Sequence, residues 1–133
     1  MSEIHPAVRY MILCDDVYTD PDNPHRVTLD GLITAIRLAE NTIFPVLSKE
    51  FCVYVQLTEC RGPAEGKIEI QHADTDETVF HTKTRTIPLG KDPLGVYGVT
   101  FRIRNCLFHD HGLYWVQFWY NDTMIAQQPL LVR

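Results

Sequence analysis

Histidine side chains are the groups in this chain best suited to chemistry. His109 and His111 flank Asp110, and imidazole and carboxylate groups are common zinc ligands. If successive strands alternate in direction, the loop that carries His72 and the N-terminal His5 fall at the same end of the fold as this pair. The sequence therefore allows a zinc-type metal site formed by His5, His72, His109 and His111, which could extend to an enzymatic site. Asp110 is explained equally well as a turn residue.

A second cluster of potential ligands is acidic. Its members are Asp15, Asp16, Asp20, Asp22 and Asn23. Calcium prefers oxygen ligands at such a density. The stretch lacks the Asp-x-Asp-x-Asp-Gly spacing of a calcium loop, however, and turn residues exposed to solvent are the commoner meaning of such a run.

Motifs that would indicate catalysis are absent from the sequence. It contains no Gly-x-Gly-x-x-Gly, Walker loop, nucleophile elbow or His-Glu-x-x-His. Its four cysteines form no Cys-x-x-Cys pair and are expected to be small buried side chains with free thiols; they are Cys14, Cys52, Cys60 and Cys106. We therefore predict no catalytic residue, no cofactor and no enzymatic activity.

Length and composition indicate a single globular domain spanning residues 1–133. The hydrophobic fraction of 45% is ordinary, and the net charge of −5 disfavours binding to nucleic acid or to an anionic membrane. No apolar run is long enough for a spanning helix, and Glu3 and Arg9 interrupt any secretion signal. We expect a cytoplasmic protein, and reduced thiols fit that compartment.

The elements that must position these residues are strands. The strongest signal is a C-terminal hairpin, in which two runs of β-branched and aromatic residues flank a tight turn at Asn121–Asp122. Segments 7–14, 27–32, 51–59, 67–72, 78–83 and 97–104 are the other predicted strands. Residues 34–41 have some helical character, but Pro45 limits them to one or two turns. About eight strands predict an all-β, two-sheet antiparallel sandwich.

One local pattern narrows the fold class. The stretch Asp110-His111-Gly112-Leu113-Tyr114-Trp115-Val116 resembles the segment that opens strand F in immunoglobulin-like domains. The resemblance implies that the Tyr114 hydroxyl bonds to the backbone upstream. Val116 occupies the place of the family's cysteine, so no disulfide between the sheets is expected. The alternative is that Tyr114 is an ordinary core aromatic ring.

A broader resemblance covers most of the chain. It rests on Arg26–Ile33, on Phe44-Pro45, on the alternating strand Cys52–Leu57 and on the closing hairpin. In this order the segments resemble a family of short bacterial proteins, a domain of unknown function expected to form an immunoglobulin-like sandwich. The resemblance implies a fold and a compartment, and it brings no catalytic residue with it.

The predicted alternation also places an apolar surface on the outside. If Tyr114 faces the core, then Trp115, Gln117 and Trp119 face outward. In an immunoglobulin-like layout the strand at 51–59 is a neighbour in the same sheet and adds Tyr54 and Gln56.

An uncharged patch rich in aromatic residues is typical of an interface. We therefore predict a non-catalytic interaction module that uses these five residues to form a homodimer or to bind an unknown protein partner. The alternative is that the chain covers the patch with residues 34–47, which carry Ile36, Leu38, Ile43 and Phe44.

Overall fold

The computed structural model describes residues 6–60, 64–87 and 94–133. Within these ranges the chain forms strands and connections, with no helix and hence no helix that could cross a membrane. The strands are β1 (Ala7–Asp20), β2 (Asn23–Leu32), β3 (Ala35–Ile36), β4 (Val46–Leu47), β5 (Phe51–Thr58), β6 (Ala64–His72), β7 (Thr78–His81), β8 (Arg85–Ile87), β9 (Tyr97–Ile103), β10 (Leu107–Phe108), β11 (Gly112–Tyr120) and β12 (Thr123–Val132).

Two larger sheets enclose one hydrophobic core. The first has four strands in the order β2-β1-β5-β9, and the second has six, ordered β3-β12-β11-β6-β7 with β8 also paired to β6. Alternate residues of each sheet point into the same cluster, because side chains of a strand alternate between its faces. The rings of Phe101 and Phe118, one from each sheet, lie 5.9 Å apart. A small sheet of β4 and β10 completes the fold.

The all-β prediction is confirmed, and each of the eight predicted segments contains a strand. Four further strands, β3, β4, β8 and β10, were missed because two or three residues are too few to show a period. The larger sheet is not wholly antiparallel, since β3 pairs with β12 in parallel. Two segments of turn-forming residues, Gly62-Pro63 and Gly90–Pro93, lie outside the described residues.

The helical turn predicted within residues 34–41 is wrong. Ala35 and Ile36 instead pair with the end of β12, and the N–H of Leu38 donates to the Arg133 carbonyl at 2.6 Å. These residues extend the edge of the six-stranded sheet. Pairing with β12 therefore overrides the weak local helical preference of the segment.

The first predicted strand boundary is also wrong, because β1 does not end at Cys14. Residues 7–14 of β1 pair with β5, whereas residues 14–20 pair with β2 in a hairpin that turns at Pro21-Asp22. β1 continues as a strand beyond Cys14 because β2 replaces β5 there as its hydrogen-bonded partner. β2 is an edge strand, so one of its sides has no hydrogen-bonded neighbour. Pro24, which lacks a backbone N–H, is tolerated in such a strand.

Gly31 in β2 lies where the backbone approaches the Asp15 side chain closely. Its φ is +66°, and a Cβ atom at this position would collide with the Asp15 carboxylate. The backbone angle therefore favours glycine here, and any larger residue would also displace the exposed Asp15 side chain.

The C-terminal hairpin is confirmed in detail. Asn121 and Asp122 have φ values of 43° and 66°, which lie in the left-handed region that a two-residue hairpin turn requires at both positions. The Asn121 side chain also accepts a hydrogen bond from the Glu65 N–H at 2.9 Å, which ties the turn to the start of β6. The turn thus fixes the register of three neighbouring strands.

Candidate functional site

Tyr114 makes the corner contact that the sequence predicts. Its ring is fully buried and its hydroxyl donates to the Asp110 carbonyl at 2.8 Å. Burial raises the pKa of the phenol, so the hydroxyl keeps its proton and remains a donor. The role of Tyr114 is therefore structural: it anchors the loop that enters β11.

The described residues do not form the predicted histidine site. His72 lies beside the loop before β11, in edge contact with the Tyr114 ring at 4.8 Å, and its Nδ1 accepts from the Asp74 N–H at 3.2 Å. His111 instead packs on Phe44, with ring centroids 4.5 Å apart. His109 is exposed, and His5 lies outside the described residues. In residues 6–60, 64–87 and 94–133 no three His, Cys, Asp or Glu side chains are placed to share a metal ion.

The four cysteines are free thiols and all are buried, as predicted. Burial raises the pKa of Cys14 to about 11 and that of Cys106 to about 12. Burial likewise raises the pKa of Cys52 and of Cys60. Thiols in this state are poor nucleophiles, because the thiolate is the reactive form.

The acidic run lies in the β1–β2 hairpin and around its turn. Asp20 and Asn23 accept hydrogen bonds from the N–H groups of Asp22 and His25, which is turn chemistry. Asp16 is different, because its carboxylate lies 3.2 Å from Nη2 of Arg102. A hydrogen bond from the Val17 N–H, together with this arginine, lowers the pKa of Asp16.

The predicted joint surface of β5 and β11 does not exist. These strands belong to different sheets, so the outer face of β5, with Tyr54 and Gln56, is turned away from that of β11. Tyr54 is only 6% exposed, although it points away from the core. The prediction failed because it took the strand order from the immunoglobulin pattern, whereas β11 lies between β12 and β6.

The remaining three predicted residues do share an outer surface. Trp115, Gln117 and Trp119 alternate with the buried Tyr114, Val116 and Phe118 along β11. Gln117 is central and only 7% exposed, even though it points outward. Both tryptophans are half-buried. The predicted inward and outward faces of β11 are therefore correct.

A hydrogen-bond network across three strands explains the burial of Gln117. Its Nε2 donates to Oε1 of Gln71 at 3.2 Å and to Oε1 of Gln127 at 3.4 Å, while its Oε1 accepts from the Trp119 indole at 3.2 Å. We refer to Trp115, Gln117, Trp119, Gln71 and Gln127 as the Trp–Gln face. Gln71 and Gln127 were not predicted, because their contribution depends on the pairing of β6 and β12 with β11.

Two opposite charges on β6 adjoin this face, because Lys67 lies opposite Trp119 and Glu69 lies opposite Gln117 in the pairing of β6 with β11. Nζ of Lys67 lies 5.4 Å from the centroid of the Trp119 ring and 4.0 Å from the carboxylate of Glu69. A cation near an aromatic face is an attractive arrangement. The Trp119 ring is thus held on one side by Lys67 and through its indole N–H by Gln117.

The chain does not use residues 34–47 to cover this face in the way the alternative supposed. Ile36 and Leu38 pack against the core, and Phe44 contacts His111. Ile43 is 86% exposed. The apolar residues of this segment are therefore occupied elsewhere or face solvent.

Comparison with known proteins gives a family and no activity. A search of curated proteins finds no match to the chain. The sequence from residue 9 to residue 133 matches a family described as being of unknown function, DUF6941. The match includes β11, β12 and nearly all of β1, so it covers the whole of the Trp–Gln face. The chain therefore belongs to the DUF6941 family of unknown function.

Proposed function

We propose that this protein is a non-catalytic interaction module that forms a homodimer through the Trp–Gln face. The observation that carries the proposal is the outward-facing Gln117, whose amide is fully hydrogen-bonded at the centre of that face. A buried, satisfied polar group between two tryptophans fits an interface centre, where aromatic residues are enriched.

Preorganisation of the face supports binding. Ordering side chains on association has an entropic cost of about 0.5–1.5 kcal/mol for each flexible group. The bond between Gln117 and Trp119 orders both side chains before any partner arrives. A partner would therefore meet a surface that is already in its bound form.

The composition of the face favours a second copy as the partner. The glutamine amides offer both donors and acceptors, and the border carries both Lys67 and Glu69. A two-fold axis between copies would allow Lys67 of each to approach Glu69 of the other. Such isologous pairing is the commonest form of assembly.

The proposal extends to fold type and compartment. We infer an immunoglobulin-like sandwich forming one domain, because Tyr114 makes the corner hydrogen bond to Asp110 and the two large sheets share one core. We also infer a bacterial, cytoplasmic protein that acts without a cofactor. Four buried free thiols fit that compartment.

Sedimentation equilibrium of the untagged protein tests the proposal. We expect a monomer–dimer equilibrium with a dissociation constant in the micromolar range or below, roughly the strength of a specific interface of standard size. A single species of 15.4 kDa at every concentration up to the highest that stays soluble would exclude the homodimer.

A further inference from the structure

β1 and β2 belong to the four-stranded sheet, and their hairpin, residues 14–32, curves over the outer face of the other two strands, β5 and β9. Tyr54 points away from the core and is nevertheless buried, as are Cys14 and Cys52 on the same face. The hairpin residues Val17 and Thr19 line clefts together with residues of the sheet beneath. The hairpin therefore acts as a cover, with space remaining between it and the sheet.

The first of these spaces is lined by three arginines. We call it the arginine cleft; it has a volume of about 380 Å³ and is lined by Val17, Thr19, Arg85, Thr100, Arg102 and Arg104. No carboxylate belongs to this lining within the part of the chain that is described. Two carboxylates just outside the lining offset part of this charge, since Asp16 contacts Arg102 and Glu50 contacts both Arg102 and Arg104. The group nevertheless keeps one positive charge in excess, in a protein whose net charge is −5.

Neighbouring groups hold these arginines in position. The carboxylate of Glu50 lies 3.6 Å from Nη1 of Arg102 and 3.3 Å from Nε of Arg104. Arg85 approaches from the other large sheet, where its Nη1 donates to the Thr100 carbonyl at 2.6 Å. Among the described residues Arg85 pairs with no carboxylate, so its charge is the one most available to a ligand.

A second cleft adjoins the first and shares Val17, Thr19 and Thr100 with it. Its volume is about 640 Å³, and its lining adds Tyr54 and Gln56 from β5. It too has no carboxylate among its described lining residues, and Arg9 and His25 contribute further basic groups. Clefts of this size accommodate small-molecule ligands.

We propose that this double cleft binds a small molecule carrying a phosphate group. The phosphate lies among Arg85, Arg102 and Arg104, and the uncharged remainder lies under the hairpin against Tyr54. Arginine forks match phosphate oxygens in geometry as well as in charge. Phosphate fits better than carboxylate because three arginines and two threonines line one space, and phosphate offers more oxygens to share among them.

Titrations followed by amide chemical shifts, at constant ionic strength, test this proposal. The probes are inorganic phosphate, phenyl phosphate as a monoester, and acetate as the carboxylate control. We expect saturable shifts of the Thr100 and Arg102 amides with both phosphates and a weaker response to acetate. Phenyl phosphate should bind at least about fivefold more tightly than inorganic phosphate, because its ring enters the second cleft.

Matched variants locate the site. Arg85→Gln should weaken phosphate binding at least about tenfold, since it removes the unpaired charge and its hydrogen bonds. Arg37→Gln makes the same change at an exposed arginine outside both clefts, and it should bind as the wild type does. Equal binding by the two variants, no saturable response to phosphate in the wild type, or acetate binding as tight as phosphate would each overturn the proposal.

Discussion

Oε1 of Gln117 accepts a hydrogen bond from the indole N–H of Trp119 at a distance of 3.2 Å. The two residues are on the same outer face of β11, and Gln71 and Gln127 bond to the Gln117 amide from either side. The Trp–Gln face is therefore a connected surface in which one glutamine orders a tryptophan.

Replacing Gln117 should weaken self-association. In Gln117→Leu the Trp119 indole loses its hydrogen-bond acceptor and becomes free to turn. Association must then order this side chain, which has an entropic cost. We expect the dimer dissociation constant to rise about tenfold, because ordering a flexible side chain costs up to about 1.5 kcal/mol and about 1.4 kcal/mol is a factor of ten. Gln127→Leu is the matched control, because it removes only the 3.4 Å bond at the exposed side of the network. Sedimentation equilibrium measures both, and equal effects would show that the order imposed by Gln117 is unimportant.

Tyr114→Phe should destabilise the fold by about 0.5–1.5 kcal/mol, the usual net value of one hydrogen bond. The reason is the lost bond to the Asp110 carbonyl. Urea unfolding should show a lower midpoint with an unchanged slope. Tyr10→Phe, at a tyrosine that is half exposed, makes the same chemical change and should leave the midpoint in place. An unchanged midpoint for Tyr114→Phe would reduce that residue to an ordinary core ring.

The Asn121-Asp122 turn should respond differently at its two positions. Asn121→Ala places alanine at a φ of 43° and removes the bond to the Glu65 N–H, so we expect a loss of about 1–3 kcal/mol. Asp122→Gly should cost little or nothing, because glycine readily adopts the φ of 66° found there. Thermal unfolding of the two variants compares them, and equal losses would mean that the turn geometry does not limit stability.

Buried thiols should make the protein less stable at alkaline pH. The ordinary pKa of a cysteine thiol is 9.0, and in the fold it rises to about 11 for Cys14 and about 12 for Cys106. Above pH 9 the unfolded chain therefore loses thiol protons that the folded chain keeps, and the free energy of unfolding falls as the pH rises from 9 to 11.

Cys106→Ala should reduce this pH dependence, although the variant is less stable at neutral pH. Urea unfolding across the alkaline range measures the difference. An identical slope with pH in wild type and variant would contradict the assignment to Cys106. Thiol titration without reductant should in addition find four free groups per chain in denaturant and almost none in the native protein.

The sequence was most informative where the pattern is local. Alternation along β11 identified the buried Tyr114 and the outward Trp115, and turn residues identified the hairpin at Asn121. Each of these features depends on residues that are close together in the sequence. The two-residue period of a strand therefore indicates directly which side chains face the core.

Strand neighbours could not be predicted in the same way. β11 pairs with β6 and β12 and not with β5, so Tyr54 was assigned to the wrong surface. The change of partner by β1 at Cys14 likewise depends on residues distant in sequence. Val17 and Thr19, beyond that point, line one cleft with Tyr54. Pairing of distant segments leaves no local period that a single sequence could reveal.

We propose above that the Trp–Gln face joins two copies of the chain. Light scattering coupled to size-exclusion chromatography tests it most directly, with wild type, Trp115→Ser/Trp119→Ser and Tyr10→Ser/Tyr18→Ser run at the same micromolar concentration. The tyrosine variant also loses two aromatic rings, but from exposed positions on β1. We expect a dimer for the wild type and the tyrosine variant and a folded monomer of 15.4 kDa for the tryptophan variant. A monomeric wild type, or a dimer that survives the loss of both tryptophans, would contradict it.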